Sequence, residues 1–151
     1  ELDNMKSLDP DIILLMLGRN DASGGITGET FAQVYYDRVI AKLYEMFPDV
    51  VIYVASIPPI RVYGGGETLD MSDKAQLLSN PAIKAMVEAK KAEGKKIEFV
   101  DMSIEATGLT WEDFVTSDFV HPLAAGYEKI ATQWHNAIKD KVAEISAEIN
   151  K

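Results

Sequence analysis

The sequence predicts a doubly wound α/β domain, and three observations carry that expectation. Three short runs, residues 12–17 (IILLML), 50–55 (VVIYVA) and 97–100 (IEFV), are almost continuously apolar. Continuous rather than alternating apolar character marks strands buried on both faces, as in a parallel sheet covered by helices. Helical periodicity lies between and after these runs, giving the order β-α-β-α-β-α. Right-handed crossovers are the default connection in such a sheet.

Taken in order, the chain opens at Glu1 and reaches its first strand almost at once, as a protein joined partway through would. Gly24 and Gly25 mark a turn, and residues 31–47 then place Val34, Tyr35, Arg38, Val39, Leu43 and Phe47 at helical spacing. The second strand, 50–55, leads into the longest irregular stretch, 57–80, which carries Pro58, Pro59 and three glycines at 64–66. Loops of that length often serve as lids or binding loops. Residues 82–93 read as a helix begun after Asn80-Pro81 and closed by Gly94. After the third strand, a last helix is expected from about Ala124 to near Ile149, burying Tyr127, Ile130, Ala131, Trp134, Ile138 and Val142. Three strands make a thin sheet, and an open, apolar edge invites pairing. Residues 12–17 are therefore expected to have a neighbouring strand supplied from elsewhere, although a covering helix or a dimer partner would also serve.

At 151 residues the chain fits one domain with a real core. Its net charge of -9 argues against nucleic acid or anionic membrane as partners, since both are polyanions. No apolar run approaches the roughly 20 residues that span a bilayer. Without cysteine there is no disulfide, thiolate metal site or cysteine nucleophile, and the compartment stays open between cytoplasm and secretion. No His/Asp/Glu spacing points to a metal, and no cofactor motif is present; the glycines at 64–66 lack the lysine-serine pair and following helix of a P-loop.

Two short segments carry chemistry. Gly18-Arg19-Asn20-Asp21 follows the first strand, where ligands of open α/β sheets bind beyond the strand carboxyl ends. Gly18 permits a sharp turn or a close approach. Asn20 offers an amide donor to an oxyanion, and Asp21 can brace the turn through backbone N–H groups. A plain strand-ending turn explains the same residues. The second segment is Asp118-Phe119-Val120-His121-Pro122, ahead of the last helix. A histidine that takes a proton from a serine needs a carboxylate on its other nitrogen, and an Asp three residues ahead meets that need locally. An Asp N-cap near an incidental histidine is the bland alternative. Arg19 and Arg61 are candidate substrate contacts, although such arginines are more often solvated or ion-paired.

Together, G-x-N-D after a buried strand and D-x-x-H-P about a hundred residues later resemble blocks III and V of the SGNH (GDSL-like) hydrolase superfamily. The stretch 118–131 (DFVHPLAAGYEKIA) is similar to that family's helix start after its histidine. The resemblance implies a three-layer αβα fold with a flavodoxin-like parallel sheet, and ester hydrolysis through an acyl-enzyme. It implies His121 as general base, Asp118 as its orienting carboxylate and Asn20 as oxyanion-hole donor, with no cofactor. Overall likeness to the acetylxylan-esterase branch extends the implied substrate to a small acyl ester or an acetylated polysaccharide. The family's Gly-Asp-Ser block and its glycine donor have no match here; none of Ser7, Ser23, Ser56, Ser72, Ser79, Ser103, Ser117 and Ser146 follows Gly-Asp. The expectation is a C-terminal part of one hydrolase domain, inactive alone, whose N-terminal strands and serine are either absent or supplied as a separate N-terminal fragment of the same protein. A non-catalytic carbohydrate- or protein-binding derivative, or a flavodoxin-like binding domain, is the alternative.

Overall fold

Edge and centre are distinguished along the sheet by burial. In a computed structural model that describes residues 7–63 and 67–149, β1 (Ile12–Leu15), β2 (Val51–Ala55) and β3 (Ile97–Val100) form one sheet in the order β1-β2-β3. β1 and β2 run parallel, with Ile12, Ile13, Leu14 and Leu15 opposite Val51, Ile52, Tyr53 and Val54. β2 is central: Ile52, Tyr53, Val54 and Ala55 are all buried. β1 is an edge strand in which Ile13 alone is fully buried, while Leu14, Met16 and Leu17 are exposed. The double-sided burial expected of the apolar runs therefore holds for β2 and fails on one side of β1. β1 also stops at Leu15, two residues early, because its pairing with β2 runs out opposite Val54.

The chain folds as two compact units, one running up to Ile57 and resuming at Lys74–Phe99, the other comprising Pro58–Asp73 and the stretch from Val100 onward. In the first unit α1 (Arg19–Ser23) follows β1, then α2 (Gly28–Tyr35), a π-helical turn at Tyr36–Ile40 and α3 (Ala41–Met46) form one continuous helical rod. The π turn inserts one residue, so the inward face steps from Phe31 and Tyr35 to Ile40 and Leu43. A constant 3.6-residue period instead points Arg38 and Val39 inward; Arg38 is exposed and Val39 half-buried. The core of this unit joins Phe31, Tyr35, Ile40 and Leu43 to Ile52, Val54, Ile83, Val87 and Ile97.

The second rod of this unit starts earlier than the sequence suggested. A π turn at Ala75–Ser79 leads directly into α4 (Asn80–Ala92). Pro81 lacks the N–H for an interior helical bond, and the wide turn ahead of it takes up the misfit. Asn80 is a clamp rather than a boundary: its Oδ1 accepts the Ile57 N–H at 2.8 Å and its Nδ2 donates to the Ile57 carbonyl at 2.9 Å. Gln76 Nε2 donates to the same carbonyl at 2.9 Å. Gly94, at φ 88°, ends α4 as expected.

In the second unit, the loop after β2 is held by an Arg61–Leu69 antiparallel bridge, with Asp70 N–H donating to the Ile60 carbonyl at 2.7 Å. Its three glycines, at 64–66, and residues 1–6 lie outside the described residues. α5 (Ile104–Thr107) is capped by Ser103 Oγ, which accepts the Ala106 N–H at 3.3 Å. A 3-10 turn, Trp111–Asp113, precedes the long α6 (Ala124–Ile149). α6 buries Ile130, whereas Tyr127, Ala131 and Val142, expected inside, are exposed, and Trp134 and Ile138 are half-buried. Among the described residues no helix is long and apolar enough to cross a membrane.

Candidate functional site

Asp118 organises its turn with both carboxylate oxygens. Oδ1 accepts the backbone N–H groups of Val120 and His121, each at 3.0 Å, forming the local turn that a short acidic side chain favours. Oδ2 lies 2.8 Å from Nδ1 of His121. The two backbone donors, joined by the histidine, hold the Asp118 carboxyl down to about 2. An ionised carboxylate can only accept, so Nδ1 carries the hydrogen and the neutral ring presents a lone pair at Nε2. His121 is 69% exposed, so that nitrogen is not sealed inside the protein. The pair is a histidine in one tautomer with an acceptor to spare, which is the equipment of a general base.

The turn is closed from behind. Phe114 and Pro122 form an antiparallel bridge, Val115 N–H donates to the His121 carbonyl at 2.9 Å, and Phe119 N–H donates to the Val115 carbonyl at 3.0 Å. Phe119 takes φ 62°, a left-handed conformation uncommon for a residue with a bulky side chain. Its carbonyl accepts the Arg61 N–H at 2.9 Å. The Arg61 side chain, 7% exposed, lies with its guanidinium 4.9 Å from the Trp111 ring centroid and 6.0 Å from that of Phe119. Arg61 thus sits beneath the aromatic side of the turn.

Asp113, Lys129 and Gly126 fix the start of α6, and sequence reasoning did not single them out. Asp113 Oδ2 accepts from Thr110 N–H at 2.7 Å, Thr110 Oγ1 at 3.1 Å and Lys129 Nζ at 2.6 Å. Burial opposes the charge on Asp113, but Lys129 and the Thr110 donors outweigh it and hold the carboxyl below its ordinary value. The Asp113 carbonyl accepts the Leu123 N–H at 2.6 Å, two residues after His121. A Cβ on Gly126 would lie 2.8 Å from that carbonyl oxygen and 2.9 Å from Pro122 Cβ, so only glycine lets α6 approach this closely. The Thr110-x-x-Asp113 spacing of a capping box was the readable signal here.

The other predicted segment, residues 18–21, belongs to the first unit. Gly18 adopts φ 115°, and a Cβ there would overlap the Phe31 ring and stand 2.9 Å from Ile57 Cδ1. Arg19, Asn20 and Asp21 follow as the first turn of α1. Ala22 N–H donates to the Gly18 carbonyl and Gly24 N–H to the Asn20 carbonyl, each at 2.9 Å. The Asp21 main-chain carbonyl accepts the Ile26 N–H at 2.9 Å. The Asn20 side chain is exposed, and Arg19 is half-buried. Among the described residues, no group of three or more His, Asp or Glu side chains is placed to hold a metal ion.

Known proteins are similar in both sequence and fold. A "Multidomain esterase" of Ruminococcus flavefaciens is 28% identical over 142 residues, covering 91% of this chain and 16% of that protein. A carbohydrate esterase family 3 structure from Talaromyces cellulolyticus superposes with a TM-score of 0.73 at 24% identity, covering 93% of this chain and 62% of that one. A family 3 carbohydrate esterase of Clostridium thermocellum gives 0.70 at 22% identity, covering 95% and 64%. The chain therefore spans less than two thirds of each relative, and these structural likenesses give the three-layer αβα fold expected of the SGNH type. The model of the GDSL-like Lipase/Acylhydrolase family matches residues 1–129, and with the Asp118–His121 pair inside the matched region, this chain belongs to that family.

Proposed function

We propose that the chain supplies the base and an oxyanion donor to a serine esterase that deacetylates a carbohydrate ester. The observation that carries this reading is the 2.8 Å Asp118–His121 contact, with Asp118 kept ionised by two backbone donors. In this reading His121 Nε2 accepts the proton of a serine hydroxyl as its oxygen attacks the ester carbonyl. The imidazolium, steadied by Asp118, then returns the proton to the departing alcohol oxygen. Water repeats the cycle on the acyl-enzyme, releasing the acid and restoring the serine. Asn20 donates to the oxygen on which negative charge develops. The family and the relatives' names, carbohydrate esterase and esterase, support the acyl ester and the sugar alcohol.

The nucleophilic serine lies outside residues 1–151 in this proposal. It comes from another segment of the same protein, which pairs along β1. The exposed apolar residues Leu14 on that edge strand and Met16 and Leu17 just after it support the pairing, since such an edge attracts a further strand. The chain is then the C-terminal part of one hydrolase domain and is inactive by itself.

The test is hydrolysis of p-nitrophenyl acetate and acetylated xylan by the whole protein. His121→Ala is expected to lower kcat by about 10⁴ or more, and Asn20→Ala by about 10²–10³. Unchanged rates in both variants would sink the esterase reading and favour a non-catalytic binding derivative.

A further inference from the structure

Tyr63 and Phe119 stand out as aromatic side chains that packing does not account for. Tyr63 is 64% exposed on the loop after β2, and its ring meets Phe119 edge-on at 5.5 Å and 67°. Phe119 is not fully buried either, yet it holds a left-handed conformation that glycine or asparagine would adopt with less strain. Strained positions of this kind gather at functional sites. The buried Arg61 guanidinium lies 4.9 Å from the Trp111 ring centroid and 6.0 Å from that of Phe119, and its main-chain N–H donates to the Phe119 carbonyl. The turn that carries His121 thus bears a half-buried ring, Phe119, with the exposed Tyr63 ring set against it.

An exposed aromatic ring set against a second, half-buried one suits a ligand that is neutral and has an apolar face. Pyranose and furanose rings present such a face through their axial C–H bonds, with hydroxyls around the rim. An anionic ligand is disfavoured by the chain's net charge of -9, and the cation at hand, Arg61, is buried under the rings. We propose that Tyr63 and Phe119 form a stacking platform for a sugar ring of the esterified alcohol. This rests on the esterase reading for its substrate, but the platform is a binding claim that can be tested apart from turnover.

The experiment compares the whole protein with Tyr63→Ala and Tyr63→Phe on two substrates, an acetylated xylo-oligosaccharide and p-nitrophenyl acetate. The readout is the ratio of kcat/KM for the two, which cancels any general loss of folded enzyme. One aromatic contact contributes about 3- to 10-fold in affinity, so Tyr63→Ala is expected to lower the ratio by that factor through the oligosaccharide KM. Tyr63→Phe keeps the ring and is expected to keep the ratio. A ratio unchanged in Tyr63→Ala would overturn the platform and leave the pair as a surface that packs against protein. If the wild type turns over neither substrate, the esterase reading fails separately. Unacetylated xylotetraose is then titrated while the Phe119 amide resonance is followed. A shift in the wild type that is lost in Tyr63→Ala supports the platform, and no shift in the wild type overturns it.

Discussion

Asp118 divides its work between two oxygens, and the division determines what His121 can do. Oδ1 builds the turn and Oδ2 fixes the ring, so removing the carboxylate undoes both at once. In Asp118→Ala, the neutral imidazole is expected to lose its preference for the Nδ1–H form. Long-range ¹H–¹⁵N spectra above histidine's titration range measure this directly, with exposed His135 as the internal reference. A wild-type ring mainly in the Nε2–H form would contradict the arrangement. The pH dependence follows from the depressed carboxyl. A group whose folded value lies below its unfolded one stabilises fully above the ordinary carboxylate value of about 3.9 and loses that contribution as pH falls through the folded value. The carboxyl-linked shift of the Val120 and His121 amide resonances is therefore expected only below about pH 4, with a midpoint of about 2. At this scale the D-x-x-H pair was legible, because its partners are three residues apart and the turn between them is local. Phe119 and Arg61 were not legible as partners: 58 positions separate them, and nothing in the local pattern says that an arginine there is buried under rings.

The elements were legible where burial is uniform and illegible where helices change pitch. β2 reads as a central strand because every residue from Ile52 to Ala55 meets protein. β1 has the same composition, yet it lies at an edge, since composition reports what a strand needs covered rather than what covers it. The two π turns escaped a reading built on one period, and each shifts the buried face by a residue. Gly126 reads as an ordinary small residue near a helix start, but here it sets how closely α6 approaches the 3-10 turn. Gly126→Ala is expected to cost about 1–3 kcal/mol, as overpacking does. Urea unfolding measures the cost, and the resonances of residues 115–123 are expected to move more than those of β2. A neutral Gly126→Ala would mean that the close approach is not maintained.

For the whole molecule, family membership was legible from two short motifs and their order, and residues 1–129 match the family accordingly. What sequence left open is how the proposed chemistry is completed, because in that proposal His121 and Asn20 need a nucleophile from elsewhere to hydrolyse an ester. The chain covers 62% and 64% of the two carbohydrate esterases that it resembles, and its eight serines include none after Gly-Asp. Labelling the whole protein with a fluorophosphonate, followed by peptide mapping, tests this account most directly. The account predicts a single labelled serine outside residues 1–151, and loss of that label in His121→Ala. A label on any of the eight serines within residues 1–151 would contradict it, because this chain would then carry its own nucleophile.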